Sequence, residues 1–410
     1  MALSTRPDET RALTRLAFEE LAGATGGIGQ VHAAVAERAF GAVGPSGRVA
    51  RATHDAIAGG VFAALRASAG VLGKGADLAL ERGRPAGGRS LSTSRGGSAL
   101  LAALNGLMGD ALEREGSDLH QRMAVRIDGR EVPAEPGALA AELPGATPRL
   151  AVFLHGLMTT EFSWRLGAGE AGDTYGTRLG RDLGFTPVYV RYNSGLHVSE
   201  NGRALAALLE EIVAAWPVEV EQIALIGHSM GGLVSRSACH LANDEKANWV
   251  RRVRHVVSLG TPHMGAPLEQ AVHLASAALN GVPETRPLGS FLRRRSAGIR
   301  DLRQGSLVDQ DWRGRDPDAL RAAACREVPL LERATHCFVA ATVTRSARHP
   351  VGRLVGDLLV LVPSASGRSR TRRIPFRAEH GVHVGSTNHL ALLNHPAVYE
   401  RLREWLAAPP

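Results

Sequence analysis

From residue 8 to about 117, apolar residues recur at helical spacing between glycine-rich breaks. Leu13, Leu16, Ala17 and Leu21 share one helical face, as do Val31, Val35 and Phe40. Ile57, Val61, Phe62, Leu65 and Val71 continue the pattern to Leu80. A polar, Gly/Ser/Arg-rich stretch from Glu81 to Gly97 reads as an exposed loop, and another apolar segment, Ala99 to Leu112, follows it. From Met123 the period changes. Met123–Ile127, the pair Asp128-Gly129 and Arg130–Val132 spell a β-hairpin with a tight turn. Beyond it the pattern predicts strands over Leu150–Leu154, Pro187–Tyr192, Ile223–Ile226, Val253–Leu259 and Cys337–Val343. Helices are predicted over Ala204–Trp216, Gly231–Leu241 and Pro396–Leu406. Such alternation implies an α/β fold with a mostly parallel, twisted sheet covered by helices on both faces. Residues 265–335 break the rhythm, and an insertion between two strands is where a helical cap or lid over an active site would lie. The expected organisation is therefore an N-terminal α-helical region, 1–120, followed by an α/β domain, 121–410, that carries the cap.

Composition narrows the function classes. The 410 residues are 44% hydrophobic and 21% charged, enough for a large core. The net charge of +8 comes almost wholly from arginine, since the only lysines are Lys74 and Lys246. The arginines are interleaved with acids except at Arg293–Arg295 and Arg368–Arg373, and no aromatic residues alternate with those clusters to stack on bases. Both clusters read as solvated surface, and nucleic acid is not an expected partner. Cys239, Cys325 and Cys337 form an odd set without regular spacing, which suits unpaired thiols in a reducing compartment and excludes a C-x-x-C site. Met1–Glu20 has no continuous apolar stretch followed by a small-residue cleavage site, and no apolar run is long enough to span a membrane. These features read as cytoplasmic.

One motif carries chemistry. Gly227-His-Ser-Met-Gly231 is a G-x-S-x-G sequence between the apolar strand Ile223–Ile226 and a helix that starts at Gly231. In that context Ser229 sits on a sharp strand-to-helix turn, which only small neighbours two positions away permit. The turn exposes Oγ at a helix N-terminus, where the dipole favours developing negative charge. A second glycine motif, Gly23-Ala-Thr-Gly-Gly-Ile-Gly29, imitates a dinucleotide fingerprint. It follows a helical pattern instead of a strand, and no Tyr-x-x-x-Lys pair accompanies it, so dinucleotide binding is not expected.

With Phe153-Leu-His-Gly-Leu157, Gly227-His-Ser-Met-Gly-Gly232 and Leu259-Gly-Thr-Pro-His-Met-Gly-Ala-Pro267, residues from about 123 to 408 resemble the bacterial lipase/esterase branch of the α/β-hydrolase superfamily. The resemblance implies an α/β-hydrolase fold and an oxyanion hole made by the backbone N–H groups of Leu157 and Met230. It makes His155 structural. It places the acid at Asp357 in Gly356-Asp-Leu-Leu-Val, although the family's usual glycine after the acid is Leu358 here. Asp301, Asp309 and Asp311 lie in the cap region and are poorer candidates. Of the late histidines His380, His383, His389 and His395, the pattern His389-Leu-Ala-Leu-Leu before a Pro-led helix matches the catalytic base.

The resulting expectation is a serine hydrolase that cleaves carboxylic esters through Ser229, His389 and Asp357, with no metal and no cofactor. Its substrate would be a small-molecule or lipid ester. The same residues would serve a thioesterase, an acyltransferase or an intracellular polyester depolymerase. The N-terminal helices leave three roles open: packing or self-association into a homo-oligomer, peripheral contact with a lipid surface, or service as a protein-interaction scaffold.

Overall fold

The computed structural model describes residues 91–93, 95–117, 119–266, 295–317, 319 and 324–408. The helical patterns between 8 and 80, the dinucleotide-like glycines and the centre of the cap lie outside the described residues. The chain divides into two units. In the first, which includes the residues up to Leu104, the described part opens on a short turn, and Ser98 Oγ donates to Ser92 O at 2.6 Å. Helix α1 (Arg95–Arg114) starts inside the stretch expected as loop and is interrupted at Met108, whose φ is −139° and ψ 22°.

The second unit is built on strands β1 (Ala124–Ile127), β2 (Arg130–Val132), β3 (Arg149–Leu154), β4 (Thr186–Arg191), β5 (Gln222–His228), β6 (Val253–Leu259), β7 (Thr335–Ala341) and β8 (Gly381–Val384). They form one eight-stranded sheet in the order β2-β1-β4-β3-β5-β6-β7-β8. β1 runs antiparallel to both of its neighbours, and from β4 to β8 every pairing is parallel. The β1–β2 hairpin turns at Asp128 (φ 48°) and Gly129 (φ 81°), the double left-handed geometry that matches the twist of paired strands.

Alternation along the central strands sorts side chains to the two faces. Leu150, Val152 and Leu154 of β3 face α4 (Val198–Ala215) and α5 (Met230–Asp244), where Leu205, Leu209, Ile212, Leu233 and Val234 are fully buried. Ala151 and Phe153 face the other way, into a core with Tyr175 and Leu179 of the helix Tyr175–Leu183 and with Val398, Leu402 and Leu406 of the final helix Pro396–Ala407. Each of these large apolar side chains contributes about 1.5–3 kcal/mol by leaving water.

Several boundaries and one strand differ from the sequence pattern. α4 begins at Val198, ahead of the expected Ala204, because its first turn is buried yet polar: Asn201 Nδ2 donates to Asn193 O at 2.9 Å and Ser199 Oγ to Asp309 at 2.6 Å. β7 is shifted toward the N-terminus by Thr335 and His336. β8 carried no apolar signal, since only Val384 of its four residues is buried.

At the foot of the insertion between β6 and β7, described residues from its two ends meet. Ala266 N–H donates to Leu302 O at 2.8 Å. Gly265 (φ +93°) and Gly305 (φ +70°) pack so closely that an added Cβ would lie 2.2 Å from Arg303 O and 2.5 Å from His263 O. Arg372 Nη2 donates to both His263 O (2.5 Å) and Gln304 O (3.0 Å), so this member of the Arg368–Arg373 cluster is a structural clamp and not solvated surface. Among the described residues, no helix is long and apolar enough to cross a membrane.

Two tests address this architecture. A Cβ at Gly227 would lie 2.3 Å from Gly232 N and 2.4 Å from Gly231 C, backbone atoms that cannot swing aside. Gly227→Ala is therefore expected to cost more than about 3 kcal/mol or to prevent folding, read as the urea midpoint; an unchanged midpoint contradicts the close approach. The second test concerns buried histidines. Burial lowers His155, His228 and His336 to about 3, His255 to about 4 and His263 well below the ordinary imidazole value. Each stays neutral in the folded chain but gains a proton when unfolded. Their contribution is complete above about pH 6.5 and is lost as pH falls toward about 4, by up to about 1.4 kcal/mol per pH unit for each histidine. Urea midpoints should drop steeply from about pH 6 to 4.5; a flat profile would show these imidazoles accessible to protons.

Candidate active site

Ser229 joins the end of β5 to the start of α5 with φ 54° and ψ −122°, a left-handed backbone that costs a non-glycine residue about 1–3 kcal/mol. Two contacts hold it there. Ser229 N–H donates to Leu259 O at the end of β6 (2.8 Å). Gly231 lies against β3, where an added Cβ would sit 2.4 Å from Leu154 O. The side chain is half-buried, and its Oγ is hydrogen-bonded to none of the described residues.

Asp357 and His389 come together beside this turn. His389 Nδ1 donates to Asp357 Oδ2 at 2.8 Å, and His389 N–H donates to Asp357 O at 2.9 Å, so side chain and backbone are tied to the same residue. The second carboxylate oxygen accepts from Leu359 N (3.0 Å) and Val360 N (2.8 Å). Asp357 is 1% and His389 4% exposed. Leu358, which stands where the resemblance has glycine, adopts φ 88° and preserves the left-handed turn. With Nδ1 committed, Nε2 is the imidazole nitrogen free to exchange a proton. The ring packs on Gly260, where a Cβ would lie 3.1 Å from Nδ1 and Cε1, directly after the Leu259 carbonyl that holds Ser229.

The other titratable candidates are placed elsewhere. His383 on β8 bonds Thr342 Oγ1 through Nε2 (2.9 Å). His395 caps the final helix by accepting from Ala397 N (3.2 Å). His380 ends the short turn before β8. Asp301 is buried against His197 (3.1 Å) and Val198 N (2.7 Å), Asp309 pairs with Arg203 (2.9 Å), and Asp311 accepts from Leu307 N (2.9 Å) and Arg326 N (2.7 Å).

The loop after β3 lies against the serine: an added Cβ at Gly156 would sit 3.1 Å from Ser229 Cβ. The Leu157 and Met230 N–H groups donate to no carbonyl or side chain of the described residues. Met158 N–H, in contrast, is taken by Ser194 Oγ at 3.0 Å, with Met158 at φ 56°. His155 fixes the start of this loop. Its Nε2 accepts from Tyr192 N (3.2 Å), which leaves the proton on Nδ1 to donate to Gly156 O (2.8 Å), and the ring stacks on Tyr192 at 4.3 Å.

Sequence reasoning missed two positioning groups. His228 Nε2 donates to the His389 carbonyl at 3.1 Å, and the two rings lie 4.7 Å apart. Its place inside the G-x-S-x-G motif was visible, but its partner was not. Ser194 follows β4 with no local motif to mark it.

Parts of the chain are similar to known proteins. The family model for the PGAP1-like alpha/beta domain matches residues 190–312, the segment containing Ser229. A triacylglycerol lipase from Burkholderia plantarii is 30% identical over 212 residues, 51% of this chain and 52% of that one. The chain thus spans about half the length of the curated relative it matches. Among solved structures, an esterase from Pyrobaculum calidifontis is 14% identical with a TM-score of 0.36, covering 64% of this chain and 78% of that one. Phospholipase PlaB from Legionella pneumophila is 15% identical with a TM-score of 0.33, covering 54% and 46%. With a mostly parallel sheet and a serine on the β5–α5 turn, the second unit has the arrangement of an α/β-hydrolase fold.

Proposed function

We propose that this protein is a serine hydrolase of carboxylic esters. The observation that carries the reading is the buried His389–Asp357 pair beside a serine held at φ 54°. In the proposed cycle His389 Nε2 takes the proton from Ser229 Oγ as the oxygen attacks the ester carbonyl. Asp357 holds the Nδ1 tautomer and stabilises the imidazolium. The Leu157 and Met230 N–H groups receive the oxyanion, each contributing about 3 kcal/mol when aimed at developing charge away from water. His389 then protonates the leaving alcohol, which departs and leaves an acyl-serine. Water gives a proton to His389 and attacks the acyl carbon, and the carboxylic acid leaves as Ser229 regains its proton.

The Burkholderia relative, a triacylglycerol lipase, supports an ester substrate. In this reading residues 121–410 form the catalytic domain, with the insertion as its cap and 1–120 as a helical extension. Thioesters would be attacked by the same groups.

Hydrolysis of p-nitrophenyl esters from C2 to C16 tests the assignment. The wild type is expected to cleave at least one of them, with Ser229→Ala lowering kcat by at least about 10⁴-fold. No cleavage of any ester, with cleavage of an acyl thioester instead, would replace the ester reading; full activity in Ser229→Ala would sink it. Asp357→Asn should keep KM within about threefold while lowering kcat by about 10³–10⁴-fold, because the amide favours the wrong imidazole tautomer. Equal losses through KM alone would show that Asp357 serves binding and not the base.

A further inference from the structure

The loop that follows β3 is tied to the end of β4 along its length. Tyr192 N–H donates to His155 Nε2 (3.2 Å), and Tyr192 Oη donates to His155 O (2.7 Å). In the middle of the loop, Ser194 Oγ accepts from Met158 N–H (3.0 Å). At its far end, fully buried Arg191 makes a two-pronged ion pair with Glu161, its Nε donating to Oε2 at 2.6 Å. Glu161 opens the short turn Glu161–Arg165, and Thr160 Oγ1 caps that turn by accepting from Phe162 N–H (3.4 Å). An interior ion pair resists separation, because either partner alone would be an uncompensated buried charge. The loop therefore runs between two fixed ends, His155 and Glu161.

The peptide Gly156–Leu157, whose N–H is the proposed oxyanion donor, is held from within the loop and by its carbonyl. Gly156 O accepts from His155 Nδ1–H (2.8 Å) and from the Thr159 hydroxyl (2.9 Å), with Thr159 N–H farther off at 3.4 Å. The peptide is trans, so its C=O and N–H point in opposite directions within one plane. Whatever fixes the carbonyl fixes the N–H as well. This plane stands beside the nucleophile, since a Cβ added at Gly156 would lie 3.1 Å from Ser229 Cβ. His155 grips the carbonyl from the preceding residue and half-buried Thr159 from three residues further on. With the Thr159 hydroxyl gone, the plane could turn about the remaining histidine contact. A small rotation of that kind misdirects the N–H, and hydrogen bonds weaken steeply with angle.

We propose that Thr159 is a positioning residue: its hydroxyl holds the Gly156 carbonyl and thereby aims the Leu157 N–H at the oxyanion. The inference rests on the ester hydrolysis proposed above and adds a residue to it. Thr159 acts through the peptide plane and exchanges no proton with the substrate. Its neighbour cannot take over the task, because Met158 N–H is already spent on Ser194 Oγ. The contribution belongs to the transition state, where negative charge develops on the substrate oxygen, and not to the bound ester.

The test uses the full chain and a p-nitrophenyl ester, or acyl thioester, that the wild type cleaves. Thr159→Val removes the hydroxyl at nearly constant shape. It is expected to lower kcat about 10- to 100-fold with KM within about threefold, and Thr159→Ser should restore kcat to within about threefold of wild type. Thr159→Ala should repeat the loss, and it keeps the comparison with serine open if the valine variant does not fold. A trifluoromethyl ketone, which forms a charged tetrahedral adduct with the serine, should bind the hydroxyl-free variants about 10-fold more weakly. The matching secondary alcohol, which forms no adduct, should bind them as it binds the wild type. A purely structural role would move both ligands or neither. An unchanged kcat in the hydroxyl-free variants, a loss that serine does not restore, or equal weakening of the two ligands would overturn the inference. Activity that survives Ser229→Ala would bring down the ester reading and this inference with it. Hydrolysis that needs Ser229 but ignores the Thr159 hydroxyl would overturn this inference alone.

Discussion

Where α5 meets the ends of β3 and β5, backbone packs directly on backbone. Gly231 lies against the Leu154 carbonyl and Gly227 against the first turn of the helix, with no room for a Cβ at either position. That contact makes the strand-to-helix turn too sharp for ordinary dihedrals, and Ser229 absorbs the difference at φ 54°. The hydrogen bond from Ser229 N–H to Leu259 O then fastens the turn to β6. The strain is local, while its support is distributed over three parallel strands of the sheet centre. The same approach brings the loop after β3 alongside the serine, so the proposed oxyanion donors inherit their positions from the sheet.

Neutral histidines then lock the loops that the strands deliver. His155 uses both ring nitrogens within the loop and strand it joins, and His228 holds the His389 carbonyl from beneath. Burial keeps both imidazoles uncharged. A neutral imidazole offers one donor and one acceptor on fixed vectors, which suits it to bridging backbone segments without importing charge. Around the proposed site, the histidines that neighbour His389 thus serve as uncharged braces.

Legibility in the sequence followed the strength of the local signal. β3 and β5 were readable because both of their faces are buried, so their centres are continuous apolar runs. The G-x-S-x-G motif was readable because its small residues answer a steric demand. The Asp357 and His389 positions came from resemblance alone; nothing in their local sequence announces a 2.8 Å contact across 32 residues. The first turn of α4 was hidden because buried Ser199, Asn201 and Gly202 mimic a loop, and β8 because three of its residues are only half-buried. Arg372 looked like solvated charge, yet its Nη2 bridges two main-chain carbonyls, a role that only the fold could create.

The junction at Gly265, Ala266, Leu302 and Gly305, clamped by Arg372, closes the insertion into a loop whose ends are fixed regardless of what lies between them. For a closed loop of this kind, doubling the intervening length costs only about 0.6 kcal/mol of closure entropy. Whatever the segment between the clamped ends adds in closure entropy, Ala266 and Leu302 keep their separation, because the bonds that set it belong to residues of the sheet unit itself.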